Sequence, residues 1–179
     1  MIVSASVLGA IALLMIGNLV AMFFLFGKGD KTVDSLEEYI ALCKSDEYYP
    51  TIPEDITKNC NQIDFRYEQH LWALSSERWY RIVMTYDDRS FTEQQEHFNQ
   101  SCDFAFDAAE NQTGGYSPDF IYGGFTFKTA VPNIYPKSML FIGFNEKEKQ
   151  ICYLYFEDYE LDSTDDFPQF FRQHKFIPE

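Results

Sequence analysis

Six side chains in one stretch of the sequence carry the most suggestive chemistry. Arg66, Glu68, His70 and Trp72 recur at every second position, and Trp79 and Arg81 do the same shortly after. Alternation with period two places such residues on one face of a β-strand. Two strands this close in sequence pair as an antiparallel hairpin, so the six are expected to share a sheet face. A face of Trp, Arg, Glu and His can bind a sugar or a peptide by stacking and hydrogen bonding. The plainer expectation is that the aromatics (18 Phe, 12 Tyr, 2 Trp) suit strands and fill a core.

Other clusters suggest chemistry less specifically. Glu93 and His97 are four apart, so on a helix they share a face and could hold a metal or exchange a proton. The H-E-x-x-H and paired E-x-x-H patterns are absent, and the expectation is a wet helix face without metal. Asp158, Glu160 and Asp162 mimic the start of a calcium loop. The sixth position is not Gly, though, and the twelfth is Gln169 rather than Glu. With Glu157, Asp165 and Asp166 they read as a solvated acidic loop. No C-x-x-C occurs among Cys43, Cys60, Cys102 and Cys152. Cys43 and Cys102 fall on apolar helix faces, and Cys152 alternates with Leu154 and Phe156 toward the core, as buried free thiols do. Cys60 lies in a loop and is the thiol expected to react most readily. In an oxidising compartment the four would instead allow two disulfides in one of three connectivities. The G-x-S-x-G, P-loop and G-x-G-x-x-G patterns are missing, and no cofactor is expected.

The elements that must position these residues follow from periodicity. Asp34 or Ser35 can cap a helix in which Leu36, Tyr39, Ile40 and Cys43 form one apolar face. Pro50 and Pro53 end it, and residues 46–61 read as a loop. Residues 63–74 read as a strand, Ser75, Ser76 and Glu77 as a turn, and residues 79–86 as the second strand. Ser90 and Glu93 suggest a capping box for a helix from about Phe91 toward Phe106. Residues 111–118 are rich in turn formers. Strands are expected at 119–128, 138–145 and 150–157, with Gly123 and Gly124 marking a bulge and 145–149 a polar hairpin turn. A short helix is expected near 165–174. Runs of strands with helices between them predict an α+β domain over 35–179: an antiparallel sheet of about five strands with two to three helices on one face.

Residues 2–26 contain no charge, Pro, Gln or His. As a helix they would span about 37 Å, more than the ~30 Å hydrocarbon core. With no basic start and no small-residue exit, they read as an uncleaved single-pass transmembrane helix rather than a signal peptide. This anchor occupies 1–27 and a juxtamembrane linker 28–34. Ala5, Gly9, Gly17 and Ala21 fall on a four-residue period, which would allow homodimerisation through the helix. Lys28 and Lys31 follow the span and favour a cytoplasmic body, but two lysines leave the side of the membrane open.

A net charge of −14 (14 Lys+Arg, 28 Asp+Glu) argues against a nucleic-acid surface and favours a basic protein partner or a cell-surface polymer. A hydrophobic content of 46% excludes a disordered chain. The expected function is a non-catalytic binding or interaction domain at the membrane. The alternatives are a membrane-anchored hydrolase drawing on Cys60, His70, His97 or the 157–166 acids, and an immunity-type inhibitor of a basic toxin.

The layout of Tyr48-Tyr49-Pro50, Phe65-Arg66-Tyr67, Met84-Thr85-Tyr86-Asp87 and Phe91-Thr92-Glu93 resembles a loose group of small, N-terminally membrane-anchored bacterial proteins. The resemblance covers about 35–160. It implies no assigned activity, so no catalytic residue is carried over. Many of that group look like exported lipoproteins, whereas this chain has no lipobox cysteine and places lysines after its apolar run.

Overall fold

Ser35 sets the first boundary of the folded body. Its hydroxyl accepts the Glu38 amide at 3.3 Å and its carbonyl accepts the Tyr39 amide at 3.0 Å. The first bond satisfies a free amide of the helix start and the second begins the helix's own bond ladder, and helix α1 (Leu36–Ser45) follows. Asp87 does the same for helix α2 (Asp88–Ser101): its carboxylate accepts the Ser90 amide at 2.8 Å. That bond holds the Asp87 carboxyl below its usual range. The cap is therefore Asp87 rather than the expected Ser90, because an acid three residues earlier also reaches the free amides.

A computed structural model describes residues 9, 13–18, 30–45, 49–53, 56–72, 75–101, 119–133, 138–157 and 167–177. The strands are β1 (Lys31–Val33), β2 (Gln62–Trp72), β3 (Ser75–Thr85), β4 (Phe120–Tyr122), β5 (Phe125–Asn133), β6 (Ser138–Asn145) and β7 (Gln150–Glu157), and helix α3 is Phe167–His174. They form one antiparallel sheet in the order β1-β2-β3-β7-β6-β5-β4. The α+β class is as expected, with seven strands rather than about five. One extra strand is β1, which lies within the expected linker. The other comes from the expected 119–128 strand, which is cut in two. Gly123 and Gly124 adopt φ of +57° and +81° and form a two-residue hairpin turn rather than a bulge. Ser75, Ser76 and Glu77, expected as a turn, begin β3 and pair with Trp72, Leu71 and His70.

The helices do not share one face. On one face, Tyr39 of α1 and Phe91 and Phe98 of α2 pack with Phe65, Tyr67, Tyr80, Ile82, Met84, Ile142, Ile151 and Tyr153. On the other, Phe170 and Phe171 of α3 with Phe176 and Ile177 pack on Trp79, Phe127, Phe141, Cys152, Leu154 and Phe156. The sheet is apolar on both sides over β3, β7 and β6, so each side must be covered. Continuous apolar stretches in β6 and β7 carry this signal.

None of the described helices is long and apolar enough to cross a membrane. Of the expected anchor, only Gly9 and the helical residues 13–18 are described; the rest of the run, with Ala5 and Ala21, lies outside the described residues. Cys102, the 111–118 turn and the acids from Asp158 to Asp166 lie outside them as well.

Candidate functional site

The six residues singled out from the sequence do share a face. Register pairs Arg66 with Arg81, Glu68 with Trp79, His70 with Glu77 and Trp72 with Ser75 across the β2–β3 hairpin. Part of that face is closed by the chain itself. Trp79 is 2% exposed and meets Phe176 edge-on at 5.2 Å. Arg81 is 6% exposed, donates to the Phe176 carbonyl at 3.3 Å and pairs with Asp64 at 2.7 Å. Arg66, Glu68 and His70 remain toward solvent. Arg66 Nε donates to Glu68 at 2.6 Å, and His70 stands 3.6 Å from both Asp30 and Glu68. Trp72 is placed by its strand position near the hairpin end.

The other candidates are dispersed. Cys60 precedes β2 and His70 stands near its far end, eight positions past the start of the strand at Gln62, or about 26 Å. The Cys60 thiol donates to the Thr57 carbonyl at 3.0 Å, and burial raises its pKa, which disfavours the reactive thiolate. Cys43, Cys60 and Cys152 are free thiols, and Cys152 is fully buried. Glu93 is engaged by Arg89 at 2.8 Å, and the His97 ring lies against Phe98. Among the described residues no cluster of His, Cys, Asp or Glu is arranged to hold a metal ion.

Sequence reasoning missed a polar row on the α1 side of the sheet. Lys31, Gln69, Arg78, Glu157 and Ser138 are successive cross-strand partners from β1 to β6. Gln69, Glu157 and Ser138 are buried. Arg78 pairs with Glu157 through both Nε and a terminal nitrogen, and the Tyr155 hydroxyl donates to the second Glu157 oxygen at 2.5 Å. Burial and the neighbouring carboxylate push the Tyr155 phenol well up, so it stays protonated and donates. Five strands contribute one residue each, so only the register reveals the row.

One step inward lies a tyrosine cluster. Tyr39 contacts Tyr67 at 4.8 Å and Tyr80 at 5.7 Å, and Tyr80 stacks on Tyr155 at 5.3 Å. The cluster also ties down the chain after α1: Tyr39 donates to the Pro50 carbonyl at 2.7 Å and Tyr80 to the Thr51 carbonyl at 3.3 Å. Held this way, residues 51–53 and Thr57 stand off from α1 and leave an open groove of about 340 Å³. Leu36, Ile40, Cys43, Ile52 and Pro53 line it, with Lys44 at one end. Ile40 is 37% exposed. Glu37 is three residues before Ile40 on the helix and also exposed, so an acid and a lysine flank an apolar trough. Its lining also offers one thiol, raised by burial, one amine and two threonines, Thr51 and Thr57.

Neither the protein-family models, the curated proteins nor the solved structures compared with this chain give a match, and the reading of the site rests on its own geometry.

Proposed function

We propose that the protein is a single-pass membrane-anchored interaction domain, held at the bilayer by residues 2–26, whose groove between α1 and residues 51–53 and 57 takes an apolar segment of a partner protein. The observation that carries this reading is the groove itself: an apolar trough with a half-exposed Ile40, fixed by two buried tyrosine hydroxyls rather than free to collapse. A net charge of −14 and the exposed Glu37 and Glu38 favour basic residues beside that apolar segment. The uncharged 25-residue run supports the anchor. The dispersal of Cys60, His70, His97 and Glu157 supports binding over hydrolysis, because catalysis needs such groups to converge.

The test places a photo-crosslinking residue at Ile40 of the full chain in its native membrane. The expected result is one discrete adduct that disappears in an Ile52→Glu background. The same crosslinker at Ile121, 74% exposed on the far edge strand β4, should give none. No adduct at Ile40, or equal adducts at both positions, refutes the groove as the docking surface.

A further inference from the structure

One edge of the sheet is open along part of its length. Strand β1 pairs with β2 only from Tyr67 to Gln69, and just beyond it Asp34 reaches Arg66 at 3.3 Å. Among the described residues, no strand pairs with 62–65 on that side. Residues 61–64 are exposed in succession. Ile63, on the face that carries α1, is 38% exposed. A row of free amides and carbonyls beside an apolar side chain is a template for another strand. Natural edges are commonly guarded by Pro or by charged side chains, Lys above all. Gln62-Ile63-Asp64 has neither Pro nor Lys, and Arg81 holds the Asp64 carboxylate at 2.7 Å.

The charge pattern decides what fits there. Asp34 and Asp64 are each paired with an arginine of their own chain. The edge is thus close to neutral although the chain carries −14. It has no free acid to attract a basic partner, and charge elsewhere on a second copy is screened beyond about 8 Å in physiological salt. A two-fold axis through Ile63 sets that residue against Ile63 of the second copy, Gln62 against Asp64, and Asn61 against Phe65. This register covers the exposed run, buries the isoleucine against itself and lets the Gln62 amide donate to a carboxylate. An axis through Asp64 would oppose two carboxylates and would need the place beside Arg66 that Asp34 holds. An axis through Gln62 would set Asp64 against Cys60, which precedes the strand. We propose that two copies of the chain pair through the open stretch of β2, antiparallel and centred on Ile63, joining their sheets into one. Strands this short bury less than a standard interface, so the pairing is reversible. It does not depend on the groove reading given above.

Cysteines placed on this edge of the full chain in its native membrane provide the test. With the axis at Ile63, Ile63→Cys brings together two thiols whose Cα atoms are about 4.5–5.5 Å apart. The two copies of Gln62→Cys stand two steps apart along the strands, or about 8–9 Å. That exceeds the ~7 Å a disulfide spans but suits a short bismaleimide. The expected result is that mild oxidation links Ile63→Cys into a dimer, whose 63–63 peptide in mass spectrometry separates it from any link through Cys60. Gln62→Cys should be linked by the bismaleimide and not by oxidation, and the natural protein by neither at these positions. Absence of the 63–63 disulfide in a variant with the natural thermal midpoint overturns the pairing. So does absence of the bismaleimide link at 62, a position whose exposure tolerates the change whatever Ile63→Cys does to folding. Equal oxidation of both variants means random collision and overturns the register. A dimer held only by the anchor gives neither link and overturns the contact as well.

Discussion

Arg78 and Glu157 show how a single register position decides what a charge does. In sequence, Glu157 opens an acidic run and Arg78 sits in an ordinary polar stretch. In the fold they are cross-strand partners at the end of the β3–β7 ladder, with Glu157 3% exposed and its second oxygen taken by Tyr155. A buried pair of this kind contributes little net stability, but breaking it strands an uncompensated charge. Glu157→Ala should therefore destabilise the domain by about 3–5 kcal/mol, since it removes the carboxylate that both the Arg78 guanidinium and the Tyr155 hydroxyl bind. The Arg78→Met/Glu157→Leu double variant removes both charges and should lose less than the single variant. Urea unfolding of the two proteins checks this, and equal losses would show that the pair is not acting as a coupled charge site. The same geometry takes Glu157 out of the expected solvated acidic loop, since it ends β7 and both its oxygens are used by the sheet.

At the scale of elements, the sheet depends on close approach at one cross-strand pair. Gly143 of β6 lies opposite Phe127 of β5, and a Cβ added there would stand 2.6–2.9 Å from three atoms of the Phe127 ring. That ring is fully buried, with Phe171 5.3 Å away and Phe120 stacked at 5.4 Å, so it has nowhere to move. Gly143→Ala should cost about 1–3 kcal/mol by overpacking. Combining it with Phe127→Leu should lose less than the sum of the two singles, as measured by denaturation; strict additivity would mean that the glycine serves the backbone rather than the ring. The elements most legible in the sequence were those with a strong local signal. Residues 63–68 alternate apolar and charged, 145–149 form a polar turn, and Leu36, Tyr39, Ile40 and Cys43 keep a helical period. What was not legible depends on long-range pairing. Lys31–Val33 is too short to announce a strand and exists only because β2 offers an edge. Gly123 and Gly124 suit a bulge and a tight turn equally well until the flanking aromatics Phe120 and Phe127 are seen to pair. The groove depends on Tyr80 reaching Thr51, twenty-nine residues away, which no window along the chain contains.

For the whole molecule, the decisive feature is that the chain covers both faces of its sheet. The second cover is made by α3 and the residues after it. Phe176 is stacked on Phe156 at 5.5 Å, and Arg81 and Tyr122 bond the carbonyls of Phe176 and Ile177. His174 belongs to this cover: its ring lies 4.5 Å from Phe170 and is stacked on Phe176 at 5.5 Å. Burial lowers its pKa below the ordinary histidine value, and the nearby His70 adds to the effect. The direction of the pH dependence follows. With the folded-state pKa below the unfolded one, the unfolded chain binds more protons across the interval between them. Stability is then full above the unfolded value of about 6.5, falls as the pH drops through that interval, and levels off below the folded value. His174→Phe keeps a ring on Phe170 and Phe176 but removes the proton. Thermal unfolding followed from pH 7.5 to 5.5 should show a falling midpoint in the natural protein and a flatter profile in the variant, with the two closest at the alkaline end. Parallel profiles would mean that the acid sensitivity comes from elsewhere and that His174 is only a filler in the C-terminal cover. A flattened profile would show that one half-buried imidazole makes closure of the Trp79 face depend on pH.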